Sequence, residues 1–326
     1  MRVALAIEGS NSRGMGHVFR SFLYIQYMKK HKIEFIYLIN NDINTIGVLK
    51  KRKIPYIVVD YQDTLSNWEE KIIKKYEVDI WLNDKFETTV EMARHIKKQE
   101  ILFCCLDDVG KGAEEADIYF AGMIYPTLQK RIGKNYYGGS KFITLNDEIN
   151  KYKKERNQIK RIIVTMGGSD PFQVTEQVLE EMKKYDYEVS FVVGPNYTEK
   201  GRLEIINGGR FPIYQSIPSL IEFFSDYDLA ITGGGVTCCE ANASGIPCLI
   251  IANALHEINT GKWMEEQGGC VFLGDYKNWN KEFLEKIPSL DIEQMSRKAL
   301  DNFDTKGIER IFNIMKENWE KDVRIL

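Results

Sequence analysis

Apolar residues along this chain gather into short, nearly unbroken runs instead of alternating with polar ones. In the first half these runs are Val3–Ile7, Glu34–Ile39, Tyr56–Val59, Asp79–Leu82 and Ile101–Leu106. Runs of β-branched residues without polar alternation suit strands buried on both faces, and hence a parallel sheet. Helical patterns lie between them at His17–Lys30, Ile43–Lys51, Trp68–Tyr76 and Thr88–Lys98. The stretch from Asn146 to Lys160 is almost wholly polar and charged, and reads as a linker or an exposed helix. The pattern then restarts. Strand candidates are Arg161–Met166, Glu188–Val193, Asp228–Thr232, Pro247–Ile251 and Cys270–Leu273, with a helix over Gln173–Lys184 and two more at about Ile292–Phe303 and Gly307–Trp319. Such alternation predicts an α/β protein with two doubly wound, Rossmann-like domains facing a cleft, the ligand lying outside the carboxyl ends of the strands. The expected domains are residues 1–148 and 161–326, joined through 149–160, with the last helix a candidate to cross back.

Length agrees with two domains, since 326 residues exceed one ordinary core. A net charge of −3 argues against a nucleic-acid protein, which would carry a basic patch or stripe. It does not bar an anionic small ligand, which needs only local positive groups. No apolar run approaches about 20 residues, so no membrane-spanning helix is expected. The first apolar run is cut off by Glu8, Ser10 and Asn11, unlike a signal peptide. The six cysteines form two adjacent pairs, Cys104-Cys105 and Cys238-Cys239, plus Cys248 and Cys270. Without a C-x-x-C spacing they read as reduced, buried side chains of a cytoplasmic protein.

Candidate chemistry sits at the ends of the strands. Gly14-Met15-Gly16-His17 follows the first strand and opens a helix. A helix N-terminus offers unpaired N–H groups and about half a positive charge, which disfavours imidazolium. His17 there is expected to stay neutral and to take a proton. Gly167-Gly168-Ser169-Asp170 follows the strand Arg161–Met166; it either presents N–H groups to an anion or forms a tight turn capped by Ser169 or Asp170. Gly233-Gly234-Gly235 before a helix is the stronger anion signal, with Glu240 one turn in and suited to a ribose diol. Asn253 to Gly261, with His256, Glu257 and Asn259, has polar groups suited to sugar hydroxyls. Asp107 and Asp108 end another strand; they either orient a histidine or a water or close a turn, the turn being slightly favoured.

Taken together these residues resemble a known family. Gly14-x-Gly16-His17-x-x-Arg20-Ser21, Leu106-Asp107-Asp108, Met166-Gly167-Gly168-Ser169-Asp170 and Gly233-Gly234-Gly235 with Glu240, Gly245 and Pro247 recur in that order. The order is similar to that of the GT-B-fold enzymes related to the UDP-sugar hydrolase of pseudaminic acid biosynthesis and the spore-coat polysaccharide glycosyltransferases. More distantly it resembles the lipid II N-acetylglucosaminyltransferase. The resemblance implies a UDP-sugar substrate. Gly234, Gly235, Val236 and Thr237 would lie at the phosphates, Glu240 at the ribose, and Ser216-Ile217-Pro218 near the uracil. Gly14, Gly16, Arg20, Gly168, Ser169, Glu257 and Asn259 complete the expected substrate-binding set. His17 would activate water to displace UDP at the anomeric carbon with inversion. No metal and no cofactor is expected. The chain departs from the hydrolase pattern at Asn146 and at His256-Glu257-Ile258-Asn259, which leaves the sugar open. A transferase using a hydroxyl acceptor is the alternative, and a non-catalytic UDP-sugar-binding subunit the third reading.

Overall fold

The computed structural model of the chain describes residues 1–9, 15–123, 132–168, 170–215, 217–255 and 257–323. Gly14, Ser169, Ser216 and His256, singled out above, lie outside the described residues. The chain divides into two units, one holding residues up to Met123, 132–144 and the C-terminal helix, the other holding Leu145–Thr305.

The first unit is built on β1 (Arg2–Ile7), α1 (Gly16–Lys30), β2 (Glu34–Ile39), α2 (Ile43–Lys51), β3 (Ile57–Val58), α3 (Trp68–Tyr76) and β4 (Ile80–Asp84). It continues through α4 (Val90–Lys97), β5 (Leu102–Leu106), β6 (Ile118–Ala121) and β7 (Asn135–Gly138). The sheet order is β3-β2-β1-β4-β5-β6-β7, and every pairing is parallel. Successive residues of β1 serve opposite cores. Val3, Leu5 and Ile7 pack toward α1, whereas Ala4 and Ala6 face the cluster holding Ile73 of α3 and Met92 and Ile96 of α4. Helix starts follow capping chemistry: Asp42 accepts from the Thr45 N–H at the head of α2, and Thr89 from Met92 at the head of α4.

The second unit begins with α5 (Ile149–Tyr152), β8 (Arg161–Thr165), α6 (Val174–Met182), β9 (Glu188–Val193), α7 (Lys200–Asn207), β10 (Ile213–Gln215) and α8 (Leu220–Phe224). It goes on through β11 (Leu229–Thr232), α9 (Val236–Ala243), β12 (Cys248–Ala252), α10 (Glu257–Glu266), β13 (Cys270–Asp275) and α11 (Ile292–Asn302). Its order is β10-β9-β8-β11-β12-β13, again all parallel. The last helix, α12 (Gly307–Val323), belongs to the first unit, where Ile308, Ile311, Phe312 and Met315 join the core around Tyr24 and Met28.

Both sheets reverse their winding at one place, between β1 and β4 in the first and between β8 and β11 in the second. Ligands of open α/β sheets bind at such points, beyond the carboxyl ends of the strands. All six cysteines are buried and free. Among the described residues no helix is long and apolar enough to cross a membrane.

The polar stretch before β8 packs within the second unit. Arg156 is only 2% exposed, and its guanidinium donates to the carbonyls of Phe224 (3.1 Å), Tyr227 (3.2 Å) and Ser244. Burial pulls its pKa down to about 10, because only Asp228 supports the charge. With the Lys154 carbonyl, which the guanidinium also reaches, four carbonyls lose their donor together in Arg156→Met. That variant should lose several kcal/mol of stability, since a buried acceptor left without its donor costs about 1–3 kcal/mol. Urea denaturation reads this directly; an unchanged midpoint would mean the contacts are idle.

Candidate active site

The chain leaves β1 and starts α1 at Gly16, so His17 lies at the first switch point. β4 runs two residues further than its apolar run, through Asn83 and Asp84, because Ala6 and Ile7 of β1 pair with them. That pairing puts the Asp84 carboxylate beside the head of α1, fully buried. Asp84 Oδ1 lies 2.5 Å from His17 Nδ1. The other oxygen accepts from Tyr24 Oη at 3.0 Å and from Arg20 Nε at 2.9 Å. Phe86 meets the imidazole edge-on, with ring centroids 4.5 Å apart. The ring is therefore fixed by a hydrogen bond on one atom and by packing on another.

The electrostatics set the tautomer. Burial by itself would raise the Asp84 carboxyl, but the charge of Arg20 and the contacts with His17 outweigh it and bring it down to about 2. Asp84 is thus an ionised acceptor at neutral pH, and His17 Nδ1 must carry the hydrogen between them. In the neutral ring Nε2 then keeps its lone pair, and among the described residues no hydrogen bond is made to it. A histidine oriented in this way through Nδ1 is a proton acceptor at Nε2.

Arg20 departs from expectation. It was expected at the substrate, but its guanidinium is held between Asp84 and Asp107, with its side chain only 12% exposed. Asp107 also accepts from the Met123 N–H at 3.0 Å, and its φ of +51° turns the backbone after β5. Asp108 takes the N–H groups of Thr88 and Gly110, each at 2.9 Å, together with the Thr88 hydroxyl. Neither carboxylate reaches His17. Asp107 acts on it through Arg20, and Asp108 braces a loop. Gly16 opens α1 at an exposed position, with no side chain capping the helix.

In the second unit, Gly167 has φ +83°, and a Cβ there would come within 3.8 Å of the Thr237 hydroxyl. The loops after β8 and β11 are therefore adjacent. Gly168 is exposed, and its carbonyl accepts from Asn196. Asp170 caps α6, accepting from Val174 at 2.9 Å and Thr175 at 2.7 Å, so this helix start is already satisfied. The head of α9 differs: Gly235 stands at its N-cap without any side-chain cap, followed by exposed Val236 and half-buried Thr237. Its first-turn N–H groups, with the positive end of the helix dipole, form an anion cradle.

The triple glycine has a further cause that the sequence did not disclose. Glu257 lies against it. Its Oε2 accepts from Gly234 N–H at 3.0 Å and Asn253 N–H at 2.8 Å. A Cβ at Gly234 would come within 2.8 Å of the Glu257 carbonyl, and one at Gly233 within 3.2 Å of its carboxylate. The Gly234 donor, expected at a phosphate, is thus occupied by Glu257. The cradle that remains runs from Gly235 to Thr237. Glu240 sits on α9 with no side-chain partner among the described residues, and burial raises its carboxyl to about 7. Asn259 lies half-buried on α10, and Ile217 half-buried after β10.

No family model matches the chain. It is 28% identical over 275 residues to the uncharacterized protein MJ1062 of Methanocaldococcus jannaschii, an alignment covering 77% of this chain. The chain spans only 55% of that relative's length. It is 23% identical to the spore coat polysaccharide biosynthesis protein SpsG of Bacillus subtilis, covering 99% of this chain and 100% of that protein. The crystal structure of Acinetobacter baumannii MurG matches with a TM-score of 0.70 at 13% identity, covering 97% of this chain and 99% of that one. The fold is GT-B-like, two parallel-sheet α/β units with helices, and the chain is a distant homologue of SpsG.

The Glu240 carboxyl makes a pH prediction. It stays protonated in the folded protein up to about 7, whereas in the unfolded chain it ionises near its ordinary 4.5. Between those values the unfolded state binds fewer protons, so native stability falls as pH rises. Glu240→Gln escapes this loss. Its melting temperature relative to the native protein should climb between pH 4.5 and 7 and level off above. A difference that stays flat across that range would show that Glu240 is not desolvated.

Proposed function

We propose that this protein is an enzyme acting on a nucleotide sugar, with His17 as general base. The observation that carries the proposal is the hydrogen bond from His17 Nδ1 to a buried, ionised Asp84 at the winding reversal of the first sheet. His17 Nε2 takes the proton of a hydroxyl as that oxygen forms a bond to the anomeric carbon. The bond from that carbon to the diphosphate oxygen breaks, and the configuration inverts. The leaving diphosphate gathers negative charge, which the uncapped head of α9 and the N–H groups of Gly235 to Thr237 stabilise. Glu240 accepts from the ribose hydroxyls of a uridine nucleotide. Asp84 holds the tautomer and supports the imidazolium as it forms, while Arg20 keeps Asp84 ionised.

The attacking hydroxyl belongs to water or to an acceptor sugar. The resemblance to UDP-sugar hydrolases supports water. Similarity to SpsG over that protein's whole length supports an acceptor, and with it a role in polysaccharide biosynthesis. Incubation with a panel of UDP-sugars separates the two. UDP and reducing sugar appear without acceptor if water attacks, and only with an acceptor if a sugar does. In ¹⁸O-water, hydrolysis by this route places the label on the sugar; label on UDP means attack at phosphorus and ends the proposal.

His17→Asn should lower turnover by about 10²–10⁴, the worth of a positioned base, with UDP affinity nearly intact. Asp84→Asn should lower kcat by at least about 10², because an amide at that place favours the wrong tautomer. Full activity in a folded His17→Asn protein would remove the base.

Glu240 gives an independent test of the nucleotide site. With its carboxyl raised to about 7, Glu240 is partly protonated at neutral pH. Ribose hydroxyls donating to it favour the ionised form, so UDP binding should release up to about half a proton. Calorimetry in buffers of different ionisation enthalpy measures that release, and Glu240→Gln should abolish it. UDP binding without proton release in the native protein would place the ribose elsewhere.

A further inference from the structure

A cavity of about 360 Å³ opens in the first unit between the end of α1 and the second half of α12. Tyr27, His31 and Lys32 line it from one side, and Phe312, Lys316 and Trp319 from the other. β1 and β2 run parallel and start beside it, so it lies at the amino edge of the first sheet. His17 stands at the carboxyl edge, one strand length or about 20 Å away. α1 joins the two places, with His17 at its head and His31 just past its end.

Ring packing holds the walls. Tyr27 stacks on His31, with ring centroids 4.2 Å apart, and on Phe312 at 4.8 Å. Phe312 is itself buried in the core around Tyr24 and Met28. The turn after α1 is closed by the Ile33 N–H, which donates to the Met28 carbonyl at 2.8 Å, and Lys32 stands in that turn with φ +56°. Trp319 is half-buried against the same core, and among the described residues no other ring meets it. The indole thus borders the cavity without an aromatic partner, a place that a flat apolar ligand can take.

The rim is cationic. Lys32 and Lys316 are exposed at it, and the lining includes no carboxylate. Among the described residues Lys32 has no ion pair, and Glu34, two residues on, is taken by Arg2. Lys316 has Glu320 at 3.8 Å one turn along α12, a solvated contact of little worth. Burial, and after it the charge of Glu309, raise the Tyr27 phenol, so Tyr27 adds no charge of its own. An anion at the opening is therefore answered by lysine, and an ammonium is opposed. A volume of about 360 Å³ is at the small end for a ligand pocket, enough for one or two fused rings but not for a nucleotide sugar. We infer that this cavity is a binding site for a small aromatic anion, with its rings against Trp319 and its carboxylate or phosphate facing Lys32 and Lys316. The site is separate from that of His17, and the inference does not depend on the proposed function.

Binding is read on the full chain by titration calorimetry and by the indole N–H resonance of Trp319, assigned through Trp319→Phe. The probes are naphthoate, its neutral amide, naphthylmethylammonium and octanoate. Naphthoate should bind and move the Trp319 resonance, with or without saturating UDP. The amide should bind at least about 10-fold more weakly, since it forfeits a charge-assisted contact, and the ammonium should not bind. Octanoate, an anion without rings, should be weaker by a similar factor. Lys32→Glu combined with Lys316→Glu should weaken naphthoate by at least about 10-fold. Both lysines are exposed, so that variant should keep its affinity for the amide and its melting temperature. The inference is overturned if the amide or octanoate binds as well as naphthoate, or if UDP displaces naphthoate. It is overturned equally if the double variant binds naphthoate as the native protein does, or if no probe moves the Trp319 resonance at high millimolar concentration.

Discussion

A carboxylate without any access to water is tolerated only when its charge is answered on every side. Asp84 is answered by Arg20, His17 and Tyr24. Arg20 is in turn shared with Asp107, whose other oxygen is held by the backbone at Met123. The chain thus ties the ends of β1, β4 and β5 together through one ionic cluster, and His17 is its outermost member. The imidazole cannot turn without breaking a contact to a buried charge. Preorganisation of this kind separates a base from a histidine that merely caps a helix.

Both units place their polar groups by the same rule. In each sheet the winding reverses between the first strand and the fourth, and the chain segments leaving those two strands diverge. The gap they leave holds His17 and Asp84 in the first unit, and Gly167 and Gly235 to Thr237 in the second. What fills the gap differs: a charged cluster in one, bare backbone in the other. Glu257 accounts for the bareness, since its carboxylate and backbone lie where side chains at Gly233 and Gly234 would have to go. The glycines after β11 are therefore required by a packed neighbour as well as by any ligand.

The long strands and helices were legible in the sequence because their apolar runs are dense. β2, α2, α3 and β9 carry the limits expected of them. β6, β7 and β10 were not foreseen. β7 is Asn135-Tyr136-Tyr137-Gly138, and β10 has three residues between Pro212 and Ser216. Both are sheet edges, where pairing on one side suffices and the apolar signal is weak. Asp84 escaped for a related reason. Asn83 and Asp84 look like a loop after an apolar run, yet the parallel register carries the strand through them. Polar residues that stay in a strand at its carboxyl end mark the functional edge of such a sheet, and local hydrophobicity cannot report them. The helix-dipole argument at His17 left out its hydrogen-bond partner, Asp84. Arg20 was placed at the substrate because nothing local shows that two distant carboxylates claim it.

The cluster around Asp84 is indifferent to the choice between hydrolysis and transfer. A base at Nε2 removes a proton from water or from a sugar hydroxyl with much the same driving force, since neither oxygen is acidic near neutral pH. In the proposed mechanism the groups at the head of α9 likewise meet the departing diphosphate and not the nucleophile. The difference has to arise where the nucleophile is held. A surface that orders a saccharide beside the base gives its hydroxyl the advantage of proximity over water that arrives unheld.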